Sequence, residues 1–381
     1  MSSTATTNPA PADRSGRLPW LTLGAYFLLS RLTILVAGYY SNLRIDKFKW
    51  YQKQGHFTDP FFQWDSYWYL GIIQSGYHYE PGTPSNVHFF PLFPLLVRLF
   101  GGITGEYVVT GFVLANLFLF AAVCLLYKLV IQDGGSHALA DRAALYLCVF
   151  PTGFFLSLFY PESLYLMLSL ATLLLARQQR WGWACACGGL LALAKTPGVL
   201  IFAPVAMEYL GVERNRLWPW RWNRPRSSIL WLALIPAGLA LYMLYLHHQF
   251  GDAFAFSKAT ASWNRKVVPF YETFAHARQY PPFEQILYHG SVLLALASLI
   301  TGLFIRVRLS YLVYGGMLLF LFVSSNVLES IQRHVLMIFP VYLVLGMIGV
   351  RNRLADTGWL MFSLMLLTLF TVVFTAGYRM Y

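Results

Sequence analysis

The chain has 381 residues, of which 57% are hydrophobic and 12% charged, and its mean hydropathy is +0.52. Soluble domains carry about a quarter charged residues, so this composition excludes a soluble globular protein and describes a polytopic membrane protein. The 28 Lys and Arg against 16 Asp and Glu leave a net charge of +12, but the basic residues sit in short clusters between long apolar runs. That pattern belongs to membrane loops and excludes a nucleic-acid-binding face.

Residues 1–17 are small and polar and read as a flexible cytoplasmic N-terminus, followed by a single transmembrane domain over 18–381. The first apolar run is too long for a signal-peptide core and lacks a clear cleavage site, so it is expected to stay as a signal anchor. Apolar runs occur near 19–40, 107–129, 143–159, 163–176, 182–195, 197–210, 228–247, 285–305, 309–324, 335–350 and 357–377, which predicts an all-α integral membrane bundle of about 11 transmembrane helices. The stretch "HFFPLFPLLVRLF" (88–100) is broken by two prolines and Arg98 and reads as an interfacial or re-entrant helix. Residues 143–176 as one helix would be about 50 Å long, so the chain must turn near "YPES" (160–163). Likewise "KTPG" (195–198) makes 182–210 a hairpin.

Loop charge then fixes sides, because short cytoplasmic loops carry the excess Lys and Arg. Arg14 and Arg17, Arg142, Arg177 and Arg180, the cluster from Arg214 to Arg226, Arg306 and Arg308, and Arg351 and Arg353 all fall on one face. The opposite, extracytoplasmic face takes 43–106, 160–162, 195–197, 248–284 and 325–334. Four cysteines, Cys124, Cys148, Cys185 and Cys187, lie inside apolar runs, so neither a disulfide framework nor a zinc site is expected. His56, His78 and His88 lack metal-ligand spacing; no bound metal and no cofactor are predicted.

The first outer loop, 43–106, is long enough to be functional and is expected to carry amphipathic helices. At its centre "QWDSYWYLGIIQSGYHYE" places Asp65 among Trp64, Tyr67, Trp68 and Tyr69. One reading is an aromatic belt helix, with Trp64, Trp68 and Gly71 or Ile72 on one side and Asp65 capping it or facing water. The other is a carboxylate held at the membrane surface beside a lipid-borne substrate. Lys195, Arg333, His334 and Glu162 stand at outer span ends, where charges are costly unless they face water or the bundle interior. Each also has a structural reading: Lys195 snorkelling to headgroups, Glu162 stabilising a helix start, Arg333 pairing with Glu329, and His334 a structural histidine. Arg31, inside the first span, needs an internal partner, either a substrate phosphate or a protein acid. The second long outer loop, 248–284, mixes aromatics with Lys258, Arg265 and Lys266, suited equally to a headgroup or sugar and to an ordinary interface.

The motifs "FFQWDSYWYLGIIQSGY", "HFFPLFPLLVRLF", "PTGFFLSLFYPESLYLMLSL", "LALAKTPGVLIFAPVAMEY" and "QRHVLMIFPVYLVLG", in this order, resemble the mannosyltransferase II family of glycosylphosphatidylinositol assembly, and especially its prokaryotic relatives. That resemblance implies a GT-C glycosyltransferase that moves a sugar, typically mannose, from a polyprenyl-phosphate donor to a lipid or glycan acceptor hydroxyl on the extracytoplasmic side. It implies Asp65 as the acid acting at the acceptor. The family's usual arginine before the proline of the hairpin is Lys195 here, which keeps the charge and loses the bidentate fork. Lys195 and Arg333 are the candidate phosphate contacts, with Arg31 more distant, and Trp64, Tyr69, His88, Glu162 and His334 complete the expected substrate-binding set. A single acid at "WDS" argues against a metal-dependent mechanism. Membrane lipids surround the chain and a prokaryotic plasma membrane is the expected host. A lipid or lipid-linked glycan transporter or flippase is the rival reading, kept by Arg31 and by the interruptions at Pro151 and Pro197; against it, transporters place substrate groups near the bilayer midplane, whereas most charges here gather at outer loops and span ends.

Overall fold

The structure is a computed structural model and describes residues 18–45, 57–212, 227–263, 265–378 and 380. The N-terminal arginines, His56 and the arginine cluster 214–226 lie outside the described residues. Sixteen α-helices are present among the described residues, with one isolated antiparallel bridge and no longer strand pairing.

In chain order the helices are α1 (Trp20–Arg44), α2 (Asp65–Ser75), α3 (Leu92–Thr104), α4 (Tyr107–Gln132), α5 (His137–Cys148), α6 (Glu162–Arg177), α7 (Trp181–Ala194) and α8 (Phe202–Leu210). There follow α9 (Leu234–Phe250), α10 (Ala255–Lys258), α11 (Phe270–Ala277), α12 (Pro282–Phe304), α13 (Leu309–Val323), α14 (Ile331–His334), α15 (Pro340–Arg351) and α16 (Arg353–Thr375). All eleven predicted apolar segments are largely helical. Five helical stretches are long and apolar enough to cross a membrane: α1, α4, Ser227–Phe250, α12 and α16. A sixth forms if Ile331–Met337 and α15, bent by 76° at their junction, make one span. The remaining apolar segments are shorter helices, because proline and turn residues interrupt them. The chain is a helical membrane protein.

The breaks follow the sequence. Helix α5 is N-capped by Ser136, which accepts from Leu139 N at 3.2 Å, and it ends before "FPTGFF", where a 3-10 turn spans Gly153–Ser157. Pro161 then starts α6, so the turn expected near "YPES" is present. The buried centre runs through α4, α6, α7 and α9, which pack in that order, while α5 packs on α15 and α1 on α16. The α7–α9 crossing is so close that a Cβ on Gly238 would run into the carbonyl oxygen of Gly189, a small-residue approach typical of membrane helices. Gly238→Ala is expected to lower stability by about 1–3 kcal/mol through overpacking. Thermal unfolding of the purified protein in detergent measures this, and an unchanged melting temperature contradicts it.

Helix α2 departs from the belt-helix reading. It buries Ser66, Tyr69, Ile72 and Ile73, with Trp64, Trp68 and Gly71 half-buried. Its aromatic rings pack into the protein, because the loop folds back on itself and on α3. Helix α3 is amphipathic as expected, burying Phe93 and Val97 and exposing Leu95, Leu99 and Ile103.

Candidate active site

Every segment placed on one side by loop charge sends residues to a single region. There a cavity of about 960 Å³ opens between α2, the turn after α7, the loop after α10, the end of α13 and the segment leading into α14. Asp65, Trp64, Tyr69, His88, Lys195, Arg333 and His334 all line it.

Asp65 is the first residue of α2 and makes no capping hydrogen bond. It follows Trp64, whose backbone sits at φ 54° and ψ −116°, a conformation that bulky residues rarely adopt. This turn aims the carboxylate across the cavity, where Arg333 Nη1 donates to its Oδ2 at 2.6 Å. Neither capping nor simple exposure to water accounts for Asp65. Arg333 is also 3.0 Å from Glu162 Oε1 through Nε, and its guanidinium lies 4.9 Å from the Tyr160 ring centre. Lys195 Nζ donates to the same Glu162 oxygen at 2.7 Å. Thus two acids and two cations from four distant stretches of sequence form one chain, Asp65, Arg333, Glu162 and Lys195.

Burial differs along that chain. The Glu162 side chain is 0% exposed and Arg333 9%, against 29% for Asp65. Glu162 is therefore the anchor behind the wall and Asp65 the acid presented to the cavity. Burial pushes the Asp65 carboxyl up, but the charge and hydrogen bond of Arg333, with the charges of Lys195 and Arg265, pull it below the usual carboxylate range. Asp65 is ionised well into acid, since opposite charges favour the charged form. Burial, and next the Arg265 charge, lower His88 to about 4. Its ring is neutral near pH 7, and its Nδ1 lies 3.4 Å from the Phe256 carbonyl, to which it donates as the Nδ1–H tautomer.

Aromatic rings make the rest of the wall. Trp68 stacks on Phe89 with centres 5.7 Å apart and meets Trp263 edge-on at 5.6 Å, while His334 stacks on Phe322 at 4.6 Å. Such faces suit the C–H surface of a sugar or the start of an apolar chain.

Two expected contacts lie elsewhere. Glu162 is not on the cavity wall; it binds Lys195 and Arg333 from behind, because both cations reach it more easily than solvent does. Arg31 is far from the acid–cation chain in its bonding. Its guanidinium donates to the Cys148 carbonyl at 2.8 Å, to Ser157 Oγ, and to the Gly153 carbonyl at 3.5 Å. It satisfies the open carbonyl end of α5, so its internal partners are backbone carbonyls and the Ser157 hydroxyl, neither a phosphate nor an acid. Arg333 pairs with Asp65 and Glu162 in place of Glu329, since α14 turns its side chain inward. Trp263, Arg265 and Lys266 also line the cavity and stood outside the expected site. The signal was the basic and aromatic mixture of the second outer loop, which did not separate them from Lys258, bound to Asp252 at 2.7 Å and exposed. Among the described residues no three His, Cys, Asp or Glu side chains gather as a metal-binding group.

Residues 46–203 match the family model described as mannosyltransferase (PIG-V). Over this stretch the chain resembles the mannosyltransferase (PIG-V) family. The mannosyltransferase-like stretch contains Asp65, His88, Glu162 and Lys195, and it supports a glycosyl-transfer role. It ends before Arg265, Lys266 and Arg333. Among solved structures, the oligosaccharyltransferase of Archaeoglobus fulgidus, tethered to an acceptor peptide containing the NVT sequon, is similar at a TM-score of 0.44 and 15% identity. That alignment covers 95% of this chain and 56% of the archaeal one, so this chain spans little more than half the length of that enzyme. No curated protein matches the chain.

Proposed function

We propose that this protein is an inverting glycosyltransferase that moves a sugar, mannose first among candidates, from a polyprenyl-phosphate carrier to an acceptor hydroxyl outside the cytoplasm. The observation that carries the reading is the Asp65 carboxylate, held by Arg333 on the wall of a large aromatic cavity that also presents Lys195, Arg265 and Lys266. In the transfer, Asp65 takes the proton of the acceptor hydroxyl as its oxygen bonds to the anomeric carbon. The bond from that carbon to the carrier phosphate breaks, and the phosphate leaves with the electron pair. A base near the acceptor and a positive field near the leaving group serve these two steps. One base acting opposite a leaving group, with no second nucleophile, inverts the anomeric centre, by analogy with inverting glycosidases.

The Arg333 pairing sets a condition on this chemistry. A carboxylate held low is charged but weakly basic, so the guanidinium has to loosen from Asp65 as negative charge grows on the phosphate. Glu162 retains Arg333 through Nε while its Nη end changes partner. The rival transport reading drew on Arg31 and on the interruptions at Pro151 and Pro197; Arg31 is bound inside the protein by the Cys148 carbonyl and Ser157, which weakens the first of these grounds.

The purified protein, given a short-chain polyprenyl-phosphate mannose and membrane lipids or glycans, is expected to form a mannosylated product. Mass spectrometry of cells with and without the protein identifies sugar and acceptor together. Counterflow of the lipid in liposomes without any transfer would overturn the enzyme reading in favour of transport.

The pH dependence follows from the lowered Asp65 carboxyl. A group depressed on folding keeps its charge until pH falls through the lowered value, while the stability its pairing contributes is full above the unfolded carboxylate value and is lost from there down to the lowered one. Transfer is therefore expected to persist below the usual carboxylate range. In Arg333→Gln, burial is left less opposed and the acid limb of kcat/KM is expected to move to higher pH; a limb that stays in place contradicts the pairing.

A further inference from the structure

Four cations stand on the cavity wall, and they are not equivalent. Lys195 and Arg333 are bound by Glu162 and Asp65, so protein acids already balance their charge. Arg265 and Lys266 make no ion pair among the described residues, and Glu329, the other acid on the wall, pairs with neither of them. Two adjacent cations without an ion-pair partner, Arg265 half-buried and Lys266 exposed on the wall of an otherwise aromatic cavity, stand where an anion is favoured.

Their position is fixed by the backbone. Val267 and Ser325 form the antiparallel bridge. Lys266 N donates to Asn326 Oδ1 at 2.7 Å, and Asn326 N returns a bond to the Lys266 carbonyl at 3.0 Å. The segment they are tied to leads within a few residues to Arg333, and the cations line the same cavity as the base. The Arg265 charge is felt at both Asp65 and His88. Immediately after them Val267 is 90% exposed, with Phe270 and Tyr271 also exposed, and Leu321 of α13 is both part of the cavity wall and open to the outside. An anion resting on Arg265 and Lys266 thus has an apolar exit for a hydrocarbon tail at its back.

We propose that Arg265 and Lys266 form the resting seat for the phosphate of a lipid-linked substrate, while Lys195 and Arg333 hold the cavity floor and its base until charge grows on that phosphate. The ligand's identity rests on the transfer reading; its place rests on the charge balance, in a part of the chain beyond the family match. Arginine supplies the planar fork that fits phosphate oxygens, and lysine a mobile point charge.

The test is equilibrium binding of a short-chain polyprenyl monophosphate to the purified full chain in detergent, with the matching polyprenol and inorganic phosphate as controls. Arg265→Gln combined with Lys266→Gln is expected to weaken the lipid phosphate about tenfold or more, from the loss of charged hydrogen bonds, and to leave the alcohol unchanged. Arg265→Lys combined with Lys266→Arg, which keeps both charges, is expected to lose less. Inorganic phosphate is expected to compete, and to bind more weakly than the lipid phosphate; equal affinities would overturn the lipid as the source. A double glutamine variant that binds the lipid phosphate like the parent overturns the seat. Binding without sugar transfer would sink the transfer reading and leave the seat standing. Transfer with an unchanged donor KM in that variant would do the reverse.

Discussion

Asp65→Asn is expected to lower sugar transfer by about 10²–10⁴-fold, the span that a positioned general base contributes. Asparagine keeps the shape and a hydrogen-bond acceptor for Arg333 but cannot take the acceptor proton. The loss should therefore fall on kcat, with donor binding changed little. Initial rates with a polyprenyl-phosphate sugar, set beside thermal unfolding of the same preparation, separate chemistry from folding. Full transfer by a folded Asp65→Asn variant would remove Asp65 from the mechanism. The substitution also releases Arg333 from a charged partner, which leaves Glu162 alone to hold Arg333 and Lys195.

Glu162→Gln is expected to give the largest loss of stability, about 3–5 kcal/mol, because breaking a buried charge network from one side leaves uncompensated charge behind. Its carboxylate is fully buried and its Oε1 serves two cations, Lys195 at 2.7 Å and Arg333 at 3.0 Å. Without it, Arg333 keeps only Asp65 and Lys195 keeps no acid partner. Glu162→Gln combined with Lys195→Met removes one charge of each sign and is expected to recover much of the loss. Denaturation midpoints of the single and double variants measure the coupling. A single variant within about 0.5 kcal/mol of the parent, the range of ordinary surface changes, would mean that Glu162 is not the anchor.

The helical membrane class was legible because hydropathy is a local property: a run of apolar residues declares a helix whatever surrounds it. The turns at "YPES" and "KTPG" were legible for the same reason, since proline acts on its own stretch of backbone. Asp65 stood out as an acid among aromatics, and Lys195 and Arg333 as charges at the ends of apolar runs. What the sequence did not contain was partner choice. Glu329 lies one turn from Arg333 in the chain, yet Arg333 binds Asp65, 268 positions away, because α14 buries its side chain on the inward face. Arg31 looked like a charge awaiting a substrate, and the open carbonyl end of α5, 117 positions on, answers it. Arg265 and Lys266 were indistinguishable from Lys258 until a two-residue bridge to the α13–α14 segment set them on the cavity wall.

Composition and order alone thus determined that the chain is a bundle of apolar helices with its reactive polar groups in loops and at span ends. Which acid is presented to the cavity, which is sealed behind it, and which cations are left for a ligand were decided only when distant segments met. Burial is a property of a residue's neighbours in space, and ion pairing reaches across a few ångströms without regard to chain distance.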